Sequence, residues 1–283
     1  MDAKILYNKM EHDFKLSACT DDWSDIAVSK YITPQYLKRY MGLLMDSSDI
    51  ITYVYTAVFP SPAVLNKILS DDRREALLFV HHPMIWDITK IPVFSNIHLD
   101  TYQMLQERQI SIYNLHTPLD ANGPYSTSVN FAEALGVKKL DEFDEYNGVK
   151  VGIIGMLDYS EVSALKQRFE AVVGHEVVLY PYGESHIKEN KVALVAGGGN
   201  NAEIYPYLRE YGINTFVTGV ARMTDDYPPS AAAHESAKKN KINILAGAHY
   251  STEKFACIKM LEYFAQFNLE CEFVPDRANL KDM

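Results

Sequence analysis

A buried strand, a helix and a second buried strand follow one another between residues 76 and 115. Residues 76–80 form an uninterrupted apolar run, which is typical of a strand covered on both faces. Residues 96–109 place apolar side chains on one helical face, and residues 110–115 predict the next strand. This order predicts a βαβ unit of an α/β fold, in which ligand sites lie at the carboxyl ends of the strands.

Further elements are predicted on both sides of this unit. The predicted strands are residues 151–155, 176–180, 191–197, 214–219 and 242–247, and the predicted helices are residues 61–69, 160–173, 201–211, 230–240 and 252–267. Turn-forming residues cluster at 120–128. This cluster indicates a boundary between the βαβ unit and a second block of strands and helices.

The charge and composition of the 283-residue chain exclude several classes of protein. The formal net charge of −10 argues against a nucleic-acid partner, because phosphate backbones are themselves negative. No apolar run approaches the roughly 20 residues of a membrane span, and the charged N-terminal segment does not resemble a signal peptide. The three cysteines match no zinc or disulfide spacing, so reduced thiols are expected. We expect a cytoplasmic protein without a membrane partner.

Histidines and carboxylates recur just after predicted strands. The stretches are VHHP with His81 and His82, NLHTPLD with His116 and Asp120, and AGAHYSTE with His249 and Glu253. Neutral imidazole and carboxylate are the usual ligands of zinc, iron and manganese. Six donors exceed what one catalytic zinc uses, so they fit two divalent ions that share a bridging carboxylate and activate a water. We expect Ser251 to cap the last helix, which would place Glu253 in its first turn.

The same stretches resemble the motifs of a known family. VHHPMIW, HTPLDA and AGAHYSTE are similar to the H-H-P, H-T-x-L-D and G-H-x-x-x-E motifs of the Nif-three-like dinuclear metal-centre proteins, also labelled GTP cyclohydrolase 1 type 2 homologues. The resemblance implies an α/β fold of mixed sheets flanked by helices. It implies a metal-binding part formed by residues 1–125 plus 241–283, and a middle subdomain formed by residues 126–240. It further implies a toroidal homohexamer.

Carried over position by position, the resemblance implies one set of ligands for two divalent ions, of zinc, iron or manganese. These ligands are His81, His82, Asp120, His249 and Glu253. His116 matches the motif histidine beside Asp120, and it is either a ligand or a residue that orients the ligands. It is also the candidate catalytic residue. One departure is Val220, where the family usually has an acidic residue; Asp225 or Asp226 would be the nearest substitutes.

The donor set and the resemblance together predict a metal-dependent hydrolase. Its substrate would be a small molecule such as a purine nucleotide or a phosphoester. The alternative is a protein without enzymatic activity, which would serve as a metal-binding hexameric scaffold or a regulatory or metal-handling protein. The glycine-rich turn at residues 197–203 is expected to be a tight strand-to-helix connection, although exposed N–H groups there could instead bind a phosphate. The remaining histidines are expected to be structural or on the surface.

Overall fold

The computed structural model describes residues 1–223 and 228–283. Asp225 and Asp226, the substitutes considered above for the acid replaced by Val220, lie outside the described residues. None of the helices in the described part of the chain combines the length and the apolarity that crossing a membrane requires.

Strands and helices alternate along most of the chain. The strands are β1 (Gly42–Met45), β2 (Tyr53–Ala57), β3 (Ala76–Val80), β4 (Ile85–Trp86), β5 (Phe94–Ser95), β6 (Ile110–Asn114), β7 (Lys138–Tyr146), β8 (Val149–Met156), β9 (Val178–Tyr180), β10 (Lys191–Leu194), β11 (Thr215–Thr218), β12 (Asn243–Ala246) and β13 (Glu270–Phe273). The helices are α1 (Ala3–Asp13), α2 (Pro62–Ser70), α3 (Leu99–Glu107), α4 (Thr117–Asp120), α5 (Thr127–Leu135), α6 (Val162–Val173), α7 (Ile204–Glu210), α8 (Pro228–Asn240) and α9 (His249–Ala265).

The chain divides into two compact units. The first comprises residues 1–121, 147–149 and 257–277, and the second comprises residues 122–146, 150–256 and 278–283. Helix α9 contributes residues to both. Each unit contains its own sheet and its own cluster of buried apolar side chains.

The sheet of the first unit has the strand order β1–β6–β3–β2–β13. Strands β6, β3, β2 and β13 run parallel, and β1 closes one edge in the antiparallel direction. All five residues of β3 are buried, which is the pattern of a central strand with both faces covered. Ala76 pairs with Ile110 and Val80 pairs with Asn114, so β3 and β6 end level with each other. The residues that follow these two strands therefore emerge side by side.

The sheet of the second unit has the strand order β7–β8–β10–β11–β12–β9. Strands β10, β11 and β12 are parallel, whereas β8 and β9 pair with this group in the antiparallel direction. Helix α6 buries Leu165 and Phe169 in the apolar cluster on this sheet. Both units thus have mixed sheets flanked by helices, and the predicted fold class is confirmed.

Most predicted elements are present, with shifted ends. Strand β3 has the predicted bounds, and α2 begins at Pro62 because the Ser61 hydroxyl accepts a hydrogen bond from Val64 N. Helix α3 begins at Leu99, three residues after the predicted start, because His98 takes the N-cap position. The hairpin of β4 and β5 within the predicted βαβ unit, and the strand β7, were not predicted.

Candidate metal centre

His81 and His82 lie directly after β3, at the carboxyl end of the central strand of the first sheet. Their backbone N–H groups donate hydrogen bonds to Ala57 O at 3.1 Å and to Val58 O at 2.9 Å. Hydrogen bonds to the end of β2 and the residue after it therefore hold the backbone of both histidines. Their side chains are 0 % and 2 % exposed. The two imidazoles are thus held by a rigid backbone and shielded from bulk water.

His116 is the N-cap and Asp120 the last residue of the single turn of α4, which follows β6. Asp120 N donates a hydrogen bond to His116 O at 3.0 Å, and a spacing of four residues on one turn places both side chains on the same face. Because β3 and β6 end level, His116 emerges beside His81. The centroids of these two imidazole rings are 5.1 Å apart.

Each carboxylate oxygen of Asp120 faces a different imidazole. His81 Nε2 lies 3.5 Å from Oδ1, and His116 Nε2 lies 3.6 Å from Oδ2. The Nδ1 atom of His81 lies 2.9 Å from Leu115 O, and that of His116 lies 2.9 Å from Asp21 Oδ2. Because a carbonyl and a carboxylate only accept, both Nδ1 atoms carry a hydrogen. In the neutral rings the lone pair is therefore on Nε2, the atom nearest Asp120.

The spacing around Asp120 fits a shared divalent cation better than direct hydrogen bonds. A charge-assisted N–H···O bond is about 2.7–2.9 Å long, which is shorter than either separation at Asp120. Two tetrahedral nitrogen or oxygen ligands of zinc lie about 3.4 Å apart, given bond lengths of about 2.0–2.2 Å. Ligand nitrogens of His81, His82 and His116 all lie within 4.8 Å of one another. The first unit thus brings together four predicted site residues as a set of donors suited to a metal.

Asp21 belongs to this site, although no sequence pattern identified it. Its side chain is 1 % exposed, and Oδ2 accepts hydrogen bonds from His116 Nδ1 at 2.9 Å, from Thr117 N at 3.1 Å and from Thr117 Oγ1 at 3.0 Å. Burial alone would raise the pKa of Asp21, but the interactions with His116 and Thr117 outweigh burial and lower this pKa. The only nearby signal in the sequence is the acidic stretch around Trp23, which is remote from His116.

Aromatic rings enclose the imidazoles of His82 and His116. The ring of Phe59 stacks on His82 with a centroid distance of 4.4 Å, and Phe94 of β5 lies 5.8 Å from His82. Trp23 lies edge-on to both imidazoles, 5.7 Å from His82 and 5.0 Å from His116. An apolar wall of this kind excludes water and strengthens the electrostatic interactions within it.

His249 and Glu253 form a second pair, which lies in the second unit. They are one turn apart on α9, with His249 Nε2 3.1 Å from Glu253 Oε1, and their side chains are 6 % and 4 % exposed. Gly197 packs directly against this pair. A Cβ at residue 197 would lie 2.0 Å from Glu253 Oε1 and 3.1 Å from His249 Nε2. The backbone approaches the carboxylate so closely that only glycine fits.

The glycine-rich turn is a structural connection in this unit. Gly197 N donates to Thr252 Oγ1 at 2.9 Å, and Gly199 N donates to Thr218 Oγ1 at 3.0 Å. These two N–H groups are therefore engaged with the protein rather than directed at a phosphate. The turn leads to α7, which begins at Ile204. The interpretation as a tight connection accounts for these contacts.

The N-terminus of α9 differs from the prediction. The helix begins at His249, so the prediction that Ser251 is its N-cap is wrong, and Glu253 lies in the second turn instead of the first. Ser251 lies inside the first turn, where its Oγ is 2.8 Å from His175 Nε2. His249 N instead donates to Oδ2 of the buried Asp282 at 3.0 Å. A local pattern could not predict this cap, because the acceptor is supplied by the end of the chain.

Histidines outside the motifs have local structural roles or lie on the surface. His98 caps α3, and the buried His234 donates from Nε2 to Ala221 O at 2.6 Å while its Nδ1 lies 2.9 Å from the Tyr182 hydroxyl. The side chain of His12 is 87 % exposed. The three cysteines form no disulfide with any described residue.

Similar proteins cover almost the whole length of this chain. The family model described as Duf34/NIF3 (NGG1p interacting factor 3) matches residues 31–279. A Borreliella burgdorferi protein named GTP cyclohydrolase 1 type 2 homolog is 30 % identical over 278 residues, which cover 96 % of this chain and 100 % of that protein. The solved structure of protein ybgI has a TM-score of 0.73 at 21 % identity and covers 98 % of this chain and 100 % of its own. That of TTHA1606 from Thermus thermophilus has a TM-score of 0.69 at 21 % identity and covers 99 % and 100 %.

Proposed function

This chain belongs to the Duf34/NIF3 family, and from that premise we propose that it binds two divalent metal ions and hydrolyses a small-molecule substrate. The observation that carries the proposal is the carboxylate of Asp120, whose two oxygens face the Nε2 atoms of His81 and His116. A carboxylate whose oxygens lie beside imidazole nitrogens in this way would be suited to hold divalent metal.

The proposed ligands are the residues of the three sequence motifs. They are His81, His82 and Asp120, together with His249 and Glu253, and His116 is the proposed catalytic residue. Imidazole and carboxylate donors suit zinc, iron and manganese, and the set is larger than one catalytic zinc requires. When bound, such a pair of ions lowers the pKa of a water and supplies hydroxide at neutral pH.

His116 is placed to move a proton in this reaction. Its Nδ1 hydrogen is donated to Asp21, so Nε2 is the ring atom that would accept a proton from the attacking water and return it to the leaving group. The rings of Trp23 and Phe59 keep bulk water from the imidazoles, which strengthens the interactions of the developing charge. Positioning and water exclusion are thus the contributions of the protein itself.

A nucleotide or a phosphoester is the proposed class of substrate. Both offer an electrophilic carbon or phosphorus that hydroxide attacks, and both carry negative oxygens that divalent ions bind. The name of the Borreliella burgdorferi relative refers to GTP cyclohydrolase, so GTP is the first nucleotide to be tested.

Metal content and turnover test this proposal together. Protein purified without chelators and offered zinc, manganese and iron would be compared with His82→Ala and with the control His12→Ala, which removes an imidazole that is 87 % exposed. We expect two equivalents of metal in the wild type and the control, and at most one in His82→Ala. Turnover of GTP, other nucleotides or phosphoesters should likewise be lower in His82→Ala than in the wild type and the control.

Two outcomes would contradict the proposal in different ways. Wild-type protein that retains none of the three metals would reject the metal centre. Wild-type protein that binds metal but is as inert as His82→Ala towards every substrate would reject the hydrolase and favour the metal-binding scaffold. Mass spectrometry of the bound metals separates these two outcomes.

We also propose that the chain acts as a homohexamer in the cytoplasm. The support for the assembly is the family resemblance, and the support for the location is the expected reduced state of the three cysteines. Light scattering of the metal-loaded protein should give a mass near six times the 32.1 kDa of one chain. A mass near one or two chains at micromolar concentration would contradict the hexamer.

A further inference from the structure

The carboxylate of Asp21 is buried beside Nδ1 of His116, the ring nitrogen that does not face Asp120. It is 95 positions away in the sequence, its side chain is 1 % exposed, and its Oδ2 atom receives three hydrogen bonds. One comes from His116 Nδ1, and the other two come from the backbone N–H and the hydroxyl of Thr117. A buried carboxylate that accepts several hydrogen bonds is favoured in its charged form, so it is an acceptor and not a donor.

A third residue fixes the direction of these hydrogen bonds. Asn147 Nδ2 donates to Thr117 Oγ1 at 3.1 Å, and Thr117 Oγ1 lies 3.0 Å from Asp21 Oδ2. The Thr117 side chain is fully buried. Because the amide NH₂ can only donate, the hydroxyl accepts from Asn147 and directs its own hydrogen at Asp21. The chain of hydrogen bonds therefore runs from Asn147 through Thr117 to Asp21, and Asp21 is held in place from two sides.

We propose that Asp21 is the positioning residue of the metal centre and that it acts through the tautomer of His116. Its negative charge keeps the hydrogen of the neutral imidazole on Nδ1. The electron pair is then on Nε2, which lies 3.6 Å from Asp120 Oδ2. The electron pair is then available to a cation or to a proton on the side of the ring that faces Asp120.

This inference rests on the proposed function only for its consequence, because the tautomer itself is a property of the metal-free protein. With an amide in place of the carboxylate, the NH₂ group of residue 21 can face the ring and stabilise the opposite tautomer. That tautomer has a hydrogen on Nε2 and offers no electron pair to a cation. A change of tautomer and a loss of affinity should therefore occur together.

The first measurement is of the His116 tautomer at pH 8 in metal-free protein, from two-bond ¹⁵N–¹H correlation spectra of the imidazoles. The wild type should show the hydrogen on Nδ1, with the signal assigned by its absence in His116→Gln. Asp21→Asn should show the other tautomer or a mixture. Asp21→Glu should keep the wild-type tautomer, as should the control Asp25→Asn, which changes an exposed aspartate four positions away.

The second measurement is of zinc affinity by competition with a chromophoric chelator. In the absence of substrate we expect His116 to be a further donor to the metal, because its ligand atom lies within 4.8 Å of those of His81 and His82. Asp21→Asn should then lose affinity by about 10- to 100-fold, the usual effect of removing the hydrogen-bond partner of a metal-binding histidine. Asp21→Glu should recover part of this loss, and Asp25→Asn should bind as the wild type does.

Each result bears on a different claim. A wild-type spectrum with the hydrogen on Nε2, or an unchanged tautomer and affinity in a folded Asp21→Asn, would overturn the role of Asp21. Wild-type protein that has the expected tautomer but binds no zinc would leave that role standing and reject the proposed function. If Asp21→Asn does not fold, the wild-type spectrum still decides, and Thr117→Val tests the same chain of hydrogen bonds at its middle member.

Discussion

Gly197 occupies a position where any side chain would collide with the carboxylate of Glu253. A Cβ would lie 2.0 Å from Oε1, and the backbone has a φ of +71°, a region that favours glycine. Gly198 is next in the chain, but a Cβ there would meet no atom within 4 Å. Steric contact therefore requires glycine at residue 197 but not at residue 198.

Gly197→Ala should destabilise the protein by about 1–3 kcal/mol, because the backbone strain and the displacement of Glu253 add up. Metal affinity should fall as well, since Glu253 is a proposed ligand. Urea unfolding and zinc competition measure the two effects. Gly198→Ala is the matched control and should be near neutral in both. If Gly197→Ala and Gly198→Ala had equal stability and equal zinc affinity, the close approach of residue 197 to Glu253 would not be required for either property.

Asp13 gives a pH dependence that can be tested away from the metal centre. Burial alone would raise its pKa, but hydrogen bonds from Lys9 at 2.6 Å and from the Tyr263 hydroxyl at 3.0 Å lower it. Because the pKa of Asp13 is lowered in the folded state, its carboxylate contributes fully to the free energy of unfolding above the unfolded pKa of about 3.9. This contribution is lost as the pH falls through the folded pKa. We expect Asp13→Asn to cost about 0.5–1 kcal/mol at pH 7.

The difference between Asp13→Asn and the wild type should shrink as the pH of the urea titration is lowered below 4. Asp72→Asn, which changes a fully exposed carboxylate, should show no such difference at either pH. A cost for Asp13→Asn that stays constant from pH 7 to pH 3 would contradict the assignment of the lowered pKa to these hydrogen bonds.

At the scale of elements, the sequence predicted those whose signals are local. β3 is an apolar run with both faces covered, and Ser61 is a local N-cap for α2, so both were predicted within one residue. Strand β7 was missed because eight of its nine residues are not buried; only Phe143 is. The short β4–β5 pair was missed because two-residue strands leave no periodic signal.

Within the candidate site, residues with a local sequence signal were predicted, and residues that act through distant contacts were not. The motifs that carry the proposed ligands were recognisable because each follows a strand, and strands that end level bring His81 and His116 together. Asp21 and the cap from Asp282 were not recognisable, because each contacts its partner across a long separation in sequence. Side chains that orient the residues of a site do not occur at a fixed spacing from them in the sequence, so they are identified only in the folded structure.

The N-terminus of α9 depends on Asp282, and this dependence is testable. The carboxylate accepts from His249 N at 3.0 Å and is favoured by the dipole of the helix. Asp282→Ala should lower the free energy of unfolding by about 1–2 kcal/mol, and Asp282→Asn should recover most of it, because an amide oxygen still accepts the hydrogen bond. Thermal unfolding measures the difference. An alanine variant as stable as the asparagine variant would exclude this cap.

At the scale of the whole molecule, the proposed ligands are brought into position only when the chain folds, so bound metal should stabilise the folded state. A ligand that binds only the folded state adds about 2.7 kcal/mol at a free concentration 100 times its Kd. The midpoint of thermal unfolding should therefore rise with the concentration of added zinc or manganese and return to its original value on addition of a chelator. Calorimetry on the intact chain measures the shift.

Variants of two proposed ligands show whether each of them contributes to this stabilisation. Asp120→Ala and Glu253→Ala should each remove most of the metal-dependent rise in the unfolding midpoint, because each takes away an oxygen donor of the proposed set. His12→Ala leaves the donor set intact and should keep the full rise. If Glu253→Ala keeps the wild-type response while Asp120→Ala loses it, Glu253 is not a metal ligand. The pair His249 and Glu253 would then be a structural hydrogen bond on α9.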